Sequence, residues 1–192
     1  MRILHISDLH FVGTEDRIYE NLNEMLDSLK NSNADFMVVT GDLTSNGSVD
    51  VSSLILAKQW MDQIGIPYLA IPGNHDTGAN RWRSERFPNS EYYEDVAYEE
   101  TNFAKVFQEP AILQREFDEC VVIAFSVREH DPDHVLAPLE KFIQDTVKPV
   151  LLFGHYPVIE TRDEGHLYAS GHKDFIPASA VDLKGIIERN PH

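Results

Sequence analysis

The feature that most constrains the fold is a repeated alternation of short apolar runs with amphipathic segments. In the first half of the chain, apolar runs at 2–7, 35–42 and 66–76 are separated by helical patterns at 17–32 and 50–65. Short runs rich in Val and Ile are typical of strands, and apolar residues spaced three and four apart are typical of helices. This order predicts an α/β domain in which neighbouring strands run parallel.

The second half continues with strands and helices in a less regular order. "AILQREF" at 111–117 and "CVVIAFSV" at 120–127 predict an antiparallel pair of strands. Further patterns predict a helix near the end of 77–107, a helix at 133–146, a strand at 148–157, a loop at 158–177 and a last helix at 179–190. Because the sequence has no repeat, low-complexity tract or linker, we expect one domain over residues 1–192.

Charge and cysteine content limit the classes of partner. The formal net charge is −16, from 32 acidic and 16 basic residues. This disfavours extended binding to nucleic acid, which needs Lys and Arg to neutralise phosphates, and it disfavours an anionic membrane surface. The single cysteine, Cys120, excludes an internal disulfide and predicts a reducing, cytoplasmic compartment. No apolar run reaches the length of about 18 residues that a membrane-spanning helix needs.

Polar side chains follow four of the predicted strands at the point where each strand ends. The strand ends read "SDLH", "TGDL", "PGNHD" and "FGHYP". Because ligands bind at the carboxyl ends of strands in α/β sheets, we expect one crevice to collect these side chains. The candidate residues are Asp8, His10, Asp42, Asn74, His75 and His155.

The types of donor atom in this set predict a transition-metal site. Carboxylate, amide and imidazole donors without a thiolate suit Mn, Fe, Zn or Ni, of which we favour Mn or Fe. Asp42 has two carboxylate oxygens and can bridge two ions. A pair of ions can activate hydroxide and stabilise in-line displacement at phosphorus. We expect Gly41, Gly73 and Gly154 to allow sharp turns just before the ligands.

The motifs "DLH", "GDLTSNG", "GNHD" and "GHYP", in this order, resemble those of the calcineurin-like metallophosphoesterase superfamily. The opening "RILHISDLHF" is similar to that of bacterial cyclic-nucleotide phosphodiesterase-like enzymes. The resemblance covers nearly the whole chain. It implies a four-layer sandwich in which two mixed β-sheets are flanked by helices.

The resemblance also implies a role for each residue at the strand ends. Asp8 and His10 would bind the first metal ion, and Asp42 would bridge both ions. The second ion would be bound by Asn74 and His155. His75 would lie near the scissile phosphate, where it would stabilise the transition state or protonate the leaving oxygen.

Two features depart from the family pattern. The family ends with a strand and a Gly-His-x-His motif that completes both metal shells, whereas "SGHKD" at 170–174 follows no apolar strand and has Asp174 at the second His position. We therefore expect that the domain lacks its last strands, and that each ion is bound more weakly or has its shell completed by water or another chain. Ser45 stands where many relatives carry an Asp that orients His75; a hydroxyl can orient an imidazole but cannot stabilise its charge.

Substrate contacts are less well marked. "NRWRSERF" at 80–87 is a basic and aromatic cluster in which Arg81 and Arg83 could bind a phosphate. The favoured alternative is an exposed loop whose arginines pair with neighbouring acids. His172 is a candidate contact in the 158–177 loop, which is otherwise a plain polar loop.

Two functions follow from these patterns. The first is a metal-dependent phosphoesterase that hydrolyses a small phosphodiester or phosphomonoester, for example a nucleotide. The alternative is a metal-poor, non-catalytic binding module of the same fold, which the missing final motif favours. Each motif alone also has a structural explanation, since Asp, Asn, Gly and Pro are common in turns. The occurrence of all four at strand ends favours the enzyme.

Overall fold

The computed structural model describes residues 1–13, 17–77, 97–127, 133–159 and 179–191, and the structural statements below concern these ranges. The strands are β1 Ile3–Ile6, β2 Phe36–Thr40, β3 Tyr68–Ile71, β4 Ile112–Glu116, β5 Val121–Phe125 and β6 Val150–Gly154. The helices are α1 Arg17–Lys30, α2 Val51–Ile64, α3 Asn74–Thr77, α4 Asn102–Phe107, α5 Asp133–Gln144 and α6 Ala180–Arg189, with a 3₁₀ turn at Tyr98–Glu100.

The strands form two three-stranded sheets. The first has the order β1-β2-β3 and is entirely parallel. The second has the order β4-β5-β6 and is mixed, because β5 runs antiparallel to β4 and parallel to β6. Ser126, just after β5, donates a hydrogen bond of 2.8 Å to the carbonyl of Pro72, just after β3. This bond joins the two sheets close to the strand ends that carry the candidate residues.

The two sheets pack face to face, and helices cover their outer faces. Strand β2 alternates between two apolar clusters: Phe36 and Val38 contact the second sheet, and Met37 and Val39 face the core that includes the helices. The inter-sheet cluster consists of Phe36, Val38, Ile71, Leu113, Cys120, Val122 and Ala124. Both central strands, β2 and β5, are buried along their whole length, which is expected of strands covered on two faces.

The predicted fold class, an α/β structure with two sheets flanked by helices, is confirmed, with several local differences. The apolar runs at 2–7 and 148–157 predict buried strands, but β1 and β6 both lie at sheet edges and are half exposed. The strand predicted over 66–76 ends at Ile71, because Pro72 cannot donate to a ladder and the chain then turns into α3. Most of the polar segment 77–107 and nearly all of the loop 158–177 lie outside the described residues.

None of the described helices combines the length and the apolar character that crossing a bilayer requires.

Candidate metal centre

The loops after β1 and β2 hold three candidate ligands in a strained backbone conformation. Asp8, His10 and Asp42 have φ angles of 58°, 51° and 48°. They are three of the five non-glycine residues with positive φ in the described part of the chain. Left-handed backbone at a non-glycine residue costs about 1 kcal/mol or more and persists only where the surroundings enforce it. Here the amide of Asp8 donates to the carbonyl of Gly41 at 3.0 Å, and the amide of His10 donates to the carbonyl of Asp42 at 2.9 Å.

Glycines bring the loops after β2 and β3 into direct contact. A Cβ at Gly41 would collide with the backbone of Gly73, and a Cβ at Gly73 would collide with the Asp42 carboxylate. Of the three glycines predicted to make turns, Gly41 is the one with positive φ, at 85°. Gly73 is needed for close approach instead, and a Cβ at Gly154 would touch the ring of Phe125 at 3.0 Å.

One side of the site, which we call the inner half, consists of Asp42 Oδ1, Asn74 and His155. His155 Nε2 lies 3.5 Å from Asp42 Oδ1 and 3.4 Å from Asn74 Oδ1. His155 Nδ1 lies 2.8 Å from the carbonyl of Thr40. Because a carbonyl only accepts, Nδ1 carries a proton, and in the neutral imidazole Nε2 then presents a lone pair. Three acceptor atoms therefore face one another, an arrangement that a cation stabilises.

The other side, the outer half, consists of Asp42 Oδ2, Asp8, His10 and His75. His10 Nε2 lies 3.9 Å from Asp8 Oδ1 and 3.9 Å from Asp42 Oδ2, and His75 Nε2 lies 4.0 Å from Asp42 Oδ2. The ligand atoms of His10, Asp42 and His75 all lie within 4.8 Å of one another. The outer half therefore also has the spacing and the donor types of a metal site.

The sequence led us to expect that the Ser45 hydroxyl orients His75. In the structure the backbone carbonyl of Ser45 does so instead. His75 Nδ1 donates to the Ser45 carbonyl at 2.8 Å, while the Ser45 hydroxyl donates to the carbonyl of His10 at 3.2 Å. The amide of His75 also donates to Asp42 Oδ1 at 3.0 Å. These contacts orient the ring so that Nε2 faces Asp42 Oδ2.

Asp76 is a polar residue of this region that the sequence interpretation left without a role. It is completely buried beside Asp42. Burial, and then the charge of Asp42, raise the pKa of Asp76 to about 6, although hydrogen bonds from Gly73, Leu43 and Thr44 act in the opposite direction. Its place in "GNHD", directly after His75, was the available signal, but it is equally typical of a turn.

In the structure the six candidate residues at the strand ends lie close together, and their roles as metal ligands and catalytic residue stay predictions. The substrate candidates Arg81, Arg83 and His172 lie outside the described residues. His5, in β1, lies apart from these residues: its Nε2 is 2.8 Å from the hydroxyl of Thr40, and its ring packs edge-on against Phe153.

Sequence relatives cover part of the chain. It is 32% identical over 87 residues to the DNA double-strand break repair protein Mre11 of Saccharolobus solfataricus, a match that spans 40% of this chain and 23% of that protein. It is 33% identical over 87 residues to a cAMP/cGMP dual specificity phosphodiesterase of Mycobacterium tuberculosis, spanning 40% of this chain and 27% of that protein. It is also 33% identical over 76 residues to a probable cyclic nucleotide phosphodiesterase of Moraxella catarrhalis, spanning 38% and 27%. The chain thus spans about a quarter of the length of these curated relatives.

Solved structures match nearly the whole chain in fold. A dimetal phosphatase from Danio rerio superposes with a TM-score of 0.62 at 10% identity, over 98% of this chain and 77% of that chain. A purple acid phosphatase from yellow lupin superposes with a TM-score of 0.60 at 12% identity, over 100% and 36%. At these identities the likeness establishes the fold.

A family model describes most of the chain. The model for calcineurin-like phosphoesterases matches residues 1–184, a range that contains all six candidate residues at the strand ends. The chain therefore belongs to the calcineurin-like phosphoesterase family, a family of phosphoric ester hydrolases.

Proposed function

We propose that this protein is a metal-dependent phosphoesterase that hydrolyses a small phosphodiester or phosphomonoester at a dinuclear metal centre. The observation that carries the proposal is the position of Asp42, whose two oxygens face two different sets of donors. The donors come from the ends of four strands that are distant in sequence. Family membership supports the reaction type.

Each half of the site would hold one ion. In the outer half, Asp8, His10 and Asp42 are the proposed ligands. In the inner half, Asn74 and His155 join Asp42. When bound, two ions of Mn or Fe, or of Zn or Ni, would supply Lewis-acid activation of a water and neutralise charge on the phosphoryl group. The acceptor atoms that face one another in the inner half fit such an ion.

His75 is the proposed catalytic residue. Its Nε2 is the atom that can carry a transferable proton, because Nδ1 is committed to the Ser45 carbonyl. The side chain is 30% exposed, so a substrate can approach it from the open side of the outer half. A proton at Nε2 would stabilise the leaving oxygen as its bond to phosphorus breaks.

We propose a small phosphoester, for example a nucleotide, as the substrate. The net charge of −16 opposes the binding of a long polyanion, and two of the relatives described above are named cyclic nucleotide phosphodiesterases. Because another relative is a DNA repair protein, DNA is the substrate class to compare directly. Arg81, Arg83 and His172 stay proposed substrate contacts.

We propose that the domain over 1–192 lacks its last strands, which would complete the shells of both ions. Within the described residues, β6 pairs with β5 alone and its other edge is half exposed. This supports a sheet that can accept a further strand beside His155. Without such a strand, water is the simplest additional ligand for both ions.

The test is metal loading followed by hydrolysis assays. We expect the purified protein to bind Mn²⁺ and to hydrolyse bis(p-nitrophenyl) phosphate, p-nitrophenyl phosphate or both, while single-stranded and duplex DNA are cleaved more slowly. Asp42→Asn should abolish metal binding and turnover together. The matched control is Asp62→Asn, on the exposed face of α2, which should change neither. Absence of metal binding and of turnover in the unmodified protein would contradict the proposal and favour the non-catalytic binding module.

A further inference from the structure

A buried carboxylate joins the two loops that carry the inner half. Asp76 has no exposed surface, and its side chain accepts four hydrogen bonds. Oδ1 accepts from the amide of Thr44 at 3.0 Å and from its hydroxyl at 2.9 Å. Oδ2 accepts from the amide of Leu43 at 3.1 Å and from the amide of Gly73 at 3.0 Å.

The positions of these donors give the carboxylate a bridging geometry. Leu43 and Thr44 directly follow Asp42, and Gly73 directly precedes Asn74. One side chain therefore holds the backbone on the C-terminal side of the bridging ligand and on the N-terminal side of an inner ligand. A turn needs no buried carboxylate, and burying one is costly unless donors surround it.

Strain at Asp42 explains why such a bridge is needed. Asp42 has a φ of 48°, which an L-residue adopts reluctantly. Its next two amides are both held by Asp76. The same loop is supported again at Ser48, whose amide donates to the carbonyl of His75 at 3.1 Å, and by Asn102, whose side chain donates to the carbonyl of Ser48 at 3.0 Å. Hydrogen bonds to residues outside this loop thus stabilise the conformation that orients Asp42.

On the basis of the proposed function, we propose that Asp76 is a positioning residue that fixes Asp42 relative to Asn74 and thereby sets the affinity of the inner half for its ion. Asp76 contacts neither substrate nor ion in this scheme. It acts through the backbone of the residues next to the two ligands. Asp76 would act in this respect like a group that hydrogen-bonds to a metal ligand and orients it, and loss of such a group weakens metal binding about 10–100-fold.

Asp76→Asn breaks the bridge selectively. The amide has the shape of the carboxylate and keeps one oxygen for Thr44. In place of Oδ2 it presents an NH₂ donor to the amides of Leu43 and Gly73, so that donors face donors. The matched control is Ile143→Val, a small truncation of a buried residue in α5, far from the strand ends in sequence and outside the site.

Two measurements test the proposal. In the metal-free protein, hydrogen exchange should show that Asp76→Asn loses protection at Leu43, Thr44 and Gly73, whereas Ile143→Val spares these amides. In the metal-loaded protein, titration calorimetry should show Mn²⁺ affinity lowered about 10–100-fold in Asp76→Asn and unchanged in Ile143→Val. The turnover number should fall in Asp76→Asn while KM stays close to the wild-type value, because a positioning defect acts on the reacting centre.

The outcomes separate this proposal from the proposed function. Wild-type Mn²⁺ affinity and turnover in Asp76→Asn, or unchanged exchange at the three amides, would overturn the positioning role. If the unmodified protein binds none of Mn²⁺, Fe²⁺, Zn²⁺ and Ni²⁺, the proposed function fails, and the exchange measurement still decides whether Asp76 makes the bridge. Should Asp76→Asn not fold, Thr44→Val removes one of the four bonds, together with the bond from the Gly47 amide to the Thr44 hydroxyl, and we expect Mn²⁺ affinity to fall by a smaller factor. Unchanged affinity in that variant would contradict the proposal.

Discussion

The inner and outer halves of the metal centre differ in their exposure to solvent. In the inner half, the side chains of His155 and Asp42 are 9% and 7% exposed. In the outer half, the values are 33% for His10, 30% for His75 and 58% for Asp8. Charges interact more strongly where water is excluded. We therefore expect an ion in the inner half to be bound tightly, and an ion in the outer half to exchange with solvent and to contact the substrate.

The supporting structure follows the same division. The inner donors follow β2, β3 and β6. Asp76 accepts a hydrogen bond from the amide of Gly73, next to Asn74, and the carbonyl of Thr40 accepts one from His155. Asp8 follows the edge strand β1 and is supported by its backbone bond to Gly41 and by the neighbouring Ser7 hydroxyl. We therefore expect substitutions to have unequal effects in the two halves.

Asp42→Asn should have the largest effect, because it breaks both halves at once. Asp42 offers one oxygen to each half, and an amide provides only one oxygen. We expect Mn²⁺ affinity to fall by more than about 100-fold, the upper range for loss of a group that only orients a ligand, and turnover to be abolished. Calorimetry and hydrolysis of bis(p-nitrophenyl) phosphate measure both. Retention of two bound ions would show that Asp42 does not bridge.

His75→Gln should affect the reaction and spare the metal. Loss of the proton at Nε2 removes general acid catalysis, so we expect turnover to fall about 10²–10⁴-fold. Mn²⁺ stoichiometry should stay at the wild-type value, as measured by elemental analysis after gel filtration. If one ion is lost instead, His75 is an outer ligand, which its 4.0 Å distance to Asp42 Oδ2 makes a real alternative.

His155→Ala tests the inner half alone. Removal of Nε2 should weaken the tighter Mn²⁺ binding step about 10–100-fold, while the weaker step changes little. The control is His134→Ala, on a half-exposed residue that pairs with Glu99 at 3.1 Å on the surface. Equal Mn²⁺ affinities in these two variants would refute the assignment of His155. His166→Ala, at a residue outside the described ranges, is a second control, and we expect it to weaken Mn²⁺ binding far less than His155→Ala does.

Asp8→Asn tests the outer half and should have a smaller effect than His155→Ala. Because Asp8 is exposed, water can replace much of its contribution, and we expect Mn²⁺ affinity to fall less than about 10-fold. The effect should also decrease at high salt, since exposed charges are screened. An affinity loss larger than that of His155→Ala would reverse the proposed order of the two halves.

Asp50→Ala should have the smallest effect, since it weakens the fold without touching either half. Asp50 caps α2, accepting from the amide of Ser52 at 3.0 Å and from the hydroxyl of Ser53 at 2.6 Å. We expect the free energy of unfolding to fall by about 1 kcal/mol at neutral pH, measured by urea unfolding, with Mn²⁺ affinity unchanged.

The same variant has a defined pH dependence. Hydrogen bonds from the side chains of Ser52 and then Ser53 lower the pKa of Asp50. A carboxyl group whose pKa is lower in the folded state stabilises the protein above its unfolded pKa, and this contribution is lost as the pH falls through the folded value. The difference in unfolding free energy between wild type and Asp50→Ala should therefore shrink in acid. A difference that grows in acid would contradict the cap.

Sequence patterns pointed to the candidate ligands, whose roles stay predictions, but not to the groups that support them. Asp8, Asp42 and His155 were found because an apolar run shows where a strand ends, and parallel strands end at a common edge. The carbonyl of Thr40, which fixes the tautomer of His155, has no side-chain signature, since every residue has a carbonyl. In the sequence, Asp76 resembled a turn former. Its bonding role could not be predicted, because its four donors are backbone and hydroxyl groups that only the folded chain brings together.

Exposure of the strands was predicted less well for a similar reason. The run containing Ile3 and Ile6 is as apolar as a central strand, and so is the run containing Leu151 and Leu152. Whether a strand lies at the centre or at an edge depends on which neighbours pair with it, and local hydrophobicity does not encode that choice. The unequal exposure of the two halves could therefore not be seen before the fold was known.

The most direct test of the central claim is anomalous X-ray scattering from crystals soaked in Mn²⁺. We predict two peaks, one on each side of the Asp42 carboxylate, with the peak beside Asn74 and His155 showing the higher occupancy at limiting Mn²⁺. Peaks distant from Asp42, or no peak at millimolar Mn²⁺, would contradict a dinuclear centre built on this residue.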